Sequence, residues 1–256
     1  MQALRLRMPN FRPVLIPAER TLVSVATYNE RGNLVHLIEQ IQQALPQADI
    51  LIIDDNSPDG TGQLAEELKK TNDQLHVIHR SGKLGLGTAI LTGMRFAMEN
   101  NYDYMINMDA DFSHPPECLP VLLAGMDQFD VMIGSRYIPG GGTKNWPISR
   151  WLMSRGVNYL VRLLLRLPAK DCSGGYRCYR VDLLRKAQLD RLNSVGYSFQ
   201  QEVLHLCVRT HCKVGETPII FENRKQGKSK VNFRETFRSL STLFIMGIRS
   251  MVGLNK

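Results

Sequence analysis

The sequence predicts an α/β protein: a mostly parallel central sheet with helices on both faces. Three observations carry that expectation. Apolar runs of strand length alternate with stretches of 3.6-residue apolar spacing from Thr21 to Gly134, the pattern of repeated strand–helix units. Polar clusters follow three of the apolar runs, at Thr27–Glu30, Asp54-Asp55 and Asp109–Asp111. The 256 residues, 43% hydrophobic and 22% charged, suit one domain with a tail and exclude disordered, collagen-like and coiled-coil chains.

Taken in order, the strand-like runs are Thr21–Thr27, Ile50–Ile53, Leu75–His79, Tyr104–Met108 and Val131–Gly134. Leu34, Leu37, Ile38, Ile41 and Leu45 mark the first helix, with Asn29 as its expected N-cap. A second helix is expected to start with Thr61 as its cap. Ile90, Gly93, Met94, Ala97 and Met98 mark a third, after the glycine-rich Gly82–Gly87. Beyond residue 137 a Gly/Pro/Asn-rich loop (Ile138–Pro147) leads to a basic helical stretch, Ser149–Arg166. An Asp-Cys-Ser-Gly-Gly turn follows, then helical patterns over Val181–Leu189 and Phe199–Arg209 and a strand over Val214–Phe221. The highly charged Glu222–Lys230 precedes a final amphipathic segment, Phe233–Met251. The expected organisation is a basic arm over residues 1–20, one domain over 21–232 and an amphipathic helix over 233–256.

Several classes drop out. Five cysteines without a C-x-x-C pair fit reduced thiols better than a disulfide frame or a zinc site. The basic N-terminus lacks a signal peptide's apolar core, and no run reaches the roughly 18 apolar residues of a spanning helix. The net charge of +8 points to an anionic partner. No recognition-helix, RNP-type or zinc-finger pattern supports nucleic acid, and Gly82–Gly87 has the wrong order for a dinucleotide loop.

In sheets of this kind ligands bind beyond the carboxyl ends of the strands, so the residues there carry the chemistry. Asp109-Ala110-Asp111 follows Tyr104–Met108 directly. Two carboxylates at that spacing repel each other unless a cation joins them to a bound anion, and such oxygen sites suit Mg²⁺ or Mn²⁺ bridging to substrate phosphates. Asp54 and Asp55 end a second run, and Thr27-Tyr28-Asn29-Glu30 ends the first. Aspartates can accept from base or ribose donors, and a tyrosine can stack on a base.

The runs VSVATYNERGNL, IIDDNSPDGT, GLGTA, DADFSHPPE and GSRY, in this order, resemble the family 2 glycosyltransferases of the GT-A fold. Trp146–Arg150 (W-P-x-S-R), Asp171–Arg177 (D-x-S-G-G-Y-R) and Arg224–Lys230 (R-x-x-G-x-S-K) extend the likeness to the polyprenol-phosphate (dolichol-phosphate) mannosyltransferases of that family. The resemblance implies that Ala26, Tyr28, Glu30, Ile53 and Asp55 line a nucleotide pocket with Asp54 alongside, and that Lys83 reaches the nucleotide. It implies that Asp109 and Asp111 hold the metal and the donor diphosphate, with Ala110 and Ser113 beside them. Ala26 stands where these enzymes usually carry Pro. Ser113 stands where some carry a metal-ligating Gln, and is the expected third member of the metal set.

The resemblance further implies mannose from GDP-mannose, a polyprenyl phosphate acceptor and inversion, with a UDP-sugar or another acceptor as the alternative and a basic polyanion-binding module as a remote one. A phosphomonoester acceptor is already anionic near neutral pH and needs cations in place of a base. The second half offers Arg136, Arg150 and Ser154 one turn apart, Arg177, Arg224 and Lys230, arginine gripping phosphate oxygens bidentately. Trp151–Leu167 mixes apolar side chains with arginines and is expected either to lie in a bilayer surface or to be a core helix. Peripheral association with the cytoplasmic face of a membrane follows as the expected location.

Overall fold

The structure is a computed structural model, and it describes residues 19–192, 196 and 198–222. Strands β1 (Thr21–Thr27), β2 (Asp49–Asp54), β3 (Leu75–His79) and β4 (Tyr104–Asp109) alternate with helices α1 (Arg31–Ala44), α2 (Thr61–Lys69) and α3 (Leu86–Glu99). Then come α4 (Leu119–Ala124), β5 (Val131–Ser135), β6 (Gly142–Lys144) and the long α5 (Ile148–Leu165). After it lie β7 (Arg177–Arg180), α6 (Val181–Lys186), α7 (Phe199–Arg209), β8 (Val214–Pro218) and β9 (Ile220–Glu222).

Seven strands form one sheet in the order β3-β2-β1-β4-β7-β5-β8. All neighbours are parallel except β7, which runs antiparallel between β4 and β5. A separate two-stranded sheet pairs β6 with β9. The period-2 alternation of the strands divides the core. Leu22, Leu51, Ile53 and Met105 face α3, α5, α6 and α7. Val23, Val25, Ile50, Ile52, Ile106 and Met108 face α1, α2 and α4. Each such side chain removed from water contributes roughly 1.5–3 kcal/mol. Gly93 lets α3 lie directly on β1, since a Cβ there would run into Ser24.

The structure corrects three local expectations. Asn29 is no helix cap: it sits in the left-handed region (φ 61°) and Glu30 precedes α1. Thr61 is the first residue of α2 and Gly60 (φ 84°) takes the cap position. The Val214–Phe221 run is two strands in two sheets, broken at Ile219. The antiparallel β7 and the short β6 have no sequence counterpart, because each is too short to show a period. The expected C-terminal helix, and all of the N-terminal arm but Glu19 and Arg20, lie outside the described residues.

Candidate active site

The register brings the carboxyl ends of the parallel strands into one row. Ala26 pairs with Ile53 on one side and Asp109 on the other, and Thr27 pairs with Asp54. The strand order reverses across β1 and β4, the switch point at which such sheets bind ligands. Because β7 is antiparallel, its first residue, Arg177, reaches this edge opposite Asn107. The preceding Asp171–Tyr176 turn is drawn there too. The edge therefore has an acidic half over β2, β1 and β4 and a half over β7, β5 and β8 that carries Arg136.

On the acidic half, Asp109 ends β4, is 27% exposed at its side chain and lies with its Oδ2 3.7 Å from His114 Nε2. Its backbone N–H donates to His114 Nδ1 at 2.9 Å, which places the neutral ring's proton on Nε2, facing the carboxylate. His114 is buried, stacked on Tyr176 at 4.9 Å and edge-on to Phe221. Burial pushes its pKa down, against the pull of Asp109 and Asp111. Phe112 adopts a left-handed φ of 59°, a conformation rare for a bulky residue and concentrated at functional turns. Ser113 donates its backbone N–H (3.1 Å) and its hydroxyl to Asp111 Oδ1.

That arrangement fits a divalent cation. The two carboxylates share one turn, and among the described residues no group of three or more His, Cys, Asp or Glu could hold a metal. A cation between Asp109 and Asp111 would thus complete its shell with donor phosphates and water, as Mg²⁺ and Mn²⁺ do. Ser113 changes role: buried and bonded to Asp111, it orients that carboxylate and is not itself presented as a ligand. Ala110 is buried in the core, so only its backbone can serve the site.

In the pocket at β1 and β2, the Tyr28 ring is half-buried with Lys83 Nζ 4.3 Å above its centre. Glu30 accepts from Asn33 Nδ2. Asp55 is 7% exposed, with Arg80 Nη1 3.2 Å from its Oδ1. Burial raises its pKa, and Arg80 opposes the rise. Two expectations shift. Asp54 accepts from Thr27 Oγ1 (3.0 Å) and from Ser57 N and Oγ (3.0 and 2.5 Å), so it builds the turn and is not offered to a ligand. The Ile53 side chain is in the core and backs the pocket from behind.

On the other half, Arg136 follows β5 and is almost fully buried. Its Nε and Nη2 donate to Asp171 Oδ2 and Oδ1 at 2.7 Å each, and Nη2 also to Ser173 Oγ at 2.8 Å. Burial disfavours both charges, yet the mutual attraction wins: the Arg136 pKa is raised and that of Asp171 lowered. Asn158 of α5 clamps the turn, accepting from Cys172 N and Ser173 N and donating to Ser173 Oγ. Trp146 places its ring 4.0 Å from the Arg150 guanidinium carbon and 5.5 Å from that of Arg136, with Phe221 edge-on. Ser154 Oγ accepts from the Tyr137 hydroxyl at 2.7 Å.

Arg177 leaves the acceptor set. It is fully buried and donates to the carbonyls of Gly174, Gln200 and Cys172 at 2.8, 2.7 and 2.6 Å, so it is a strut under the turn. Arg224 and Lys230 lie outside the described residues. Sequence reasoning missed His114, Asp171, Asn158 and Trp146 as site residues. A polar Asn at a core-facing position of α5 was a readable signal; the others needed the fold.

Mostly parallel sheet, acidic pair at the switch point and helices on both faces are the architecture of the GT-A fold. Two solved structures share the fold. A mannosyltransferase of Pyrobaculum calidifontis, in complex with GDP-Man and Mn²⁺, matches with TM-score 0.61 at 14% identity, over 90% of this chain and 64% of that one. Glucosyl-3-phosphoglycerate synthase of Mycobacterium tuberculosis, in complex with Mn²⁺, UDP and glucosyl-3-phosphoglycerate, gives 0.59 at 16%, over 92% of this chain and 80% of that one. Residues 22–187 match the model of glycosyl transferase family 2, and the chain belongs to that family. Similar relatives are the polyprenol monophosphomannose synthase of Mycolicibacterium smegmatis, 42% identical over 90% of this chain and 89% of the relative, and the undecaprenyl-phosphate mannosyltransferase of Micrococcus luteus, 41% identical over 83% and 88%. The protein is a glycosyltransferase.

Proposed function

We propose that the protein transfers mannose, with inversion, from GDP-mannose to a polyprenyl phosphate. The observation that carries this reading is how two proton acceptors are engaged, Asp171 on the Arg136 side and His114 on the acidic half. Asp171 has both oxygens bonded to Arg136 and a depressed pKa. His114 has Nδ1 occupied by a backbone N–H, and burial holds it neutral. Neither is placed to deprotonate an alcohol, whereas a phosphate monoester arrives ionised. The names of the similar relatives support the same acceptor class and sugar.

Tyr28 and Lys83 take the base and ribose end of the donor, with Glu30 and Asp55 beside them. A divalent cation, when bound by Asp109 and Asp111, neutralises charge developing on the leaving diphosphate. His114 and Ser113 fix the two carboxylates. Arg150, steadied on Trp146, Ser154 and Arg136, together with Arg224 and Lys230, hold the acceptor phosphate. One of its oxygens forms the new bond to the anomeric carbon on the face opposite the departing diphosphate, and no proton has to be removed.

The α5 face that carries Ile148, Leu152, Tyr159 and Leu163, 78%, 58%, 70% and 67% exposed, supports contact with the membrane that holds the lipid acceptor. No helix among the described residues is long and apolar enough to cross a membrane. The test is a panel of radiolabelled GDP- and UDP-sugars with a short polyprenyl phosphate, followed by butanol extraction. Acceptor-dependent label from GDP-mannose alone is expected. Label from a UDP-sugar, or label that stays in the aqueous phase, would overturn the assignment.

A further inference from the structure

Beside the exposed apolar stripe of α5 lies a small cationic recess, which shares Tyr137, Arg155 and Lys170 with the cavity that reaches Arg136. The recess has a volume of about 120 Å³ and is lined by Tyr137, Arg155, Asn158, Tyr159, Arg162 and Lys170. Arg155 and Arg162 are two turns apart on one face of α5. At 100° per residue they lie about 20–40° around the axis from Ile148, and roughly 120–140° from Arg150. The recess therefore adjoins the apolar stripe and lies on a different face of α5 from Arg150.

Among the described residues no carboxylate forms an ion pair with Arg155, Arg162 or Lys170. Glu216 is engaged by the backbone N–H groups of Lys170 and Asp171 at 2.8 and 2.9 Å, and Asp171 by Arg136. Arg162 Nε is buried without a hydrogen-bond partner. Arg155 stands over Trp151 at 5.0 Å, which holds its guanidinium by a cation–π contact.

We infer that this recess binds the phosphoryl headgroup of an anionic phospholipid while the adjacent stripe of Ile148, Leu152, Tyr159 and Leu163 enters the bilayer surface. The inference rests on the membrane contact proposed above and adds to it a defined headgroup site and a preference for anionic membranes. Arginine and lysine side by side at the edge of an apolar helix face match a layer of phosphates above acyl chains. The Tyr159 ring, amphipathic and exposed, suits the boundary between the two.

The experiment is sedimentation of the full chain with vesicles of phosphatidylcholine, with and without a minority of phosphatidylglycerol. The wild type should bind both and prefer the anionic vesicles. Arg155→Ala, Arg162→Ala, Lys170→Ala in one protein should lose that preference, by roughly a hundredfold at about fivefold per basic residue near an anionic surface, and keep its activity on a detergent-dispersed short polyprenyl phosphate. Equal binding of the wild type to both vesicles, or an undiminished preference in the triple variant, would overturn the inference. Inorganic phosphate that releases the wild type to the triple variant's level, at constant ionic strength where chloride does not, would assign the recess to free phosphate instead. A Leu152→Ser, Leu163→Ser variant separates the two levels. If it binds all vesicles like the wild type, or if these changes instead dissociate a dimer, the membrane contact itself fails. If it loses vesicle binding while the triple variant keeps its anionic preference, the contact stands and the headgroup site falls.

Discussion

Asp171 receives both arms of the Arg136 guanidinium at 2.7 Å and the Arg136 backbone N–H at 3.0 Å, a closed pair beneath the acceptor side of the site. Its geometry means that Arg136 meets an acceptor phosphate with its charge largely balanced. Its first contribution is to hold the turn 171–175 against β5.

Asp171→Asn should therefore cost stability before it costs chemistry. Removing one charge of a buried pair destabilises by about 3–5 kcal/mol, which urea denaturation would read. Since the Asp171 pKa is depressed from its model-peptide 3.8 in the folded state, the unfolded chain takes up this proton first. The contribution is fully present above about pH 4 and is lost as pH falls through the folded value. The stability gap between wild type and variant should be constant from neutrality down to about pH 5 and narrow below about pH 4. A gap that is flat down to pH 3 would contradict the pair's role.

At the other half of the edge, Asp109→Ala and Asp111→Ala should each lower kcat by about 10²-fold or more with the denaturation midpoint little changed, because both carboxylates are partly exposed. His114→Ala should cost less activity and more stability, as it removes a buried ring stacked on Tyr176. Steady-state rates paired with thermal melts separate the two patterns. Near-wild-type rates in both aspartate variants would remove them from the site.

Much of this was readable without coordinates. Strands β1 to β5 announce themselves because each is a mainly apolar run of strand length with polar residues at its end, and the Asp109–Asp111 pair falls where such sheets bind ligands. Function-bearing and fold-bearing polar residues look alike in sequence, however. Asp54 and Asp55 are adjacent, yet one is consumed by the turn at Ser57 and the other lies on Arg80. Arg177 and Arg150 both sit in motif-like surroundings, and only the antiparallel insertion of β7, too short to predict, shows that Arg177 is a core strut.

Donor affinity is expected to depend on the Tyr28–Lys83 contact. Tyr28→Ala and Lys83→Ala should raise the donor KM severalfold with smaller falls in kcat, the mark of binding away from the reacting carbon. Asp55→Ala should add a stability loss, because Arg80, 7% exposed at its side chain, is left buried without its partner. Unchanged donor KM values in the Tyr28 and Lys83 variants would move the base elsewhere.

The acceptor side yields the prediction that reaches furthest into mechanism. Arg150 rests on the Trp146 ring at 4.0 Å, so the indole fixes where the guanidinium points. Arg150→Ala should raise the acceptor KM and lower kcat together, since positioning supplies several kcal/mol of such barriers. Arg150→Lys should rescue only in part, because an ammonium lacks both the bidentate grip and the stacking plane. Trp146→Leu should reproduce the rise in acceptor KM with the Arg150 charge intact, an outcome that charge alone does not produce. With a phosphate nucleophile whose second pKa lies near 6, wild-type rates should be flat from about pH 7 to 8.5. Initial rates against pH for the wild type and the three variants, with the anomeric configuration of the product read by NMR, test the whole arrangement. A rate that climbs through that window would show a base being titrated, and combined with a silent Arg150 it would replace the phosphate acceptor with an alcohol, while retention of configuration would overturn the single in-line displacement.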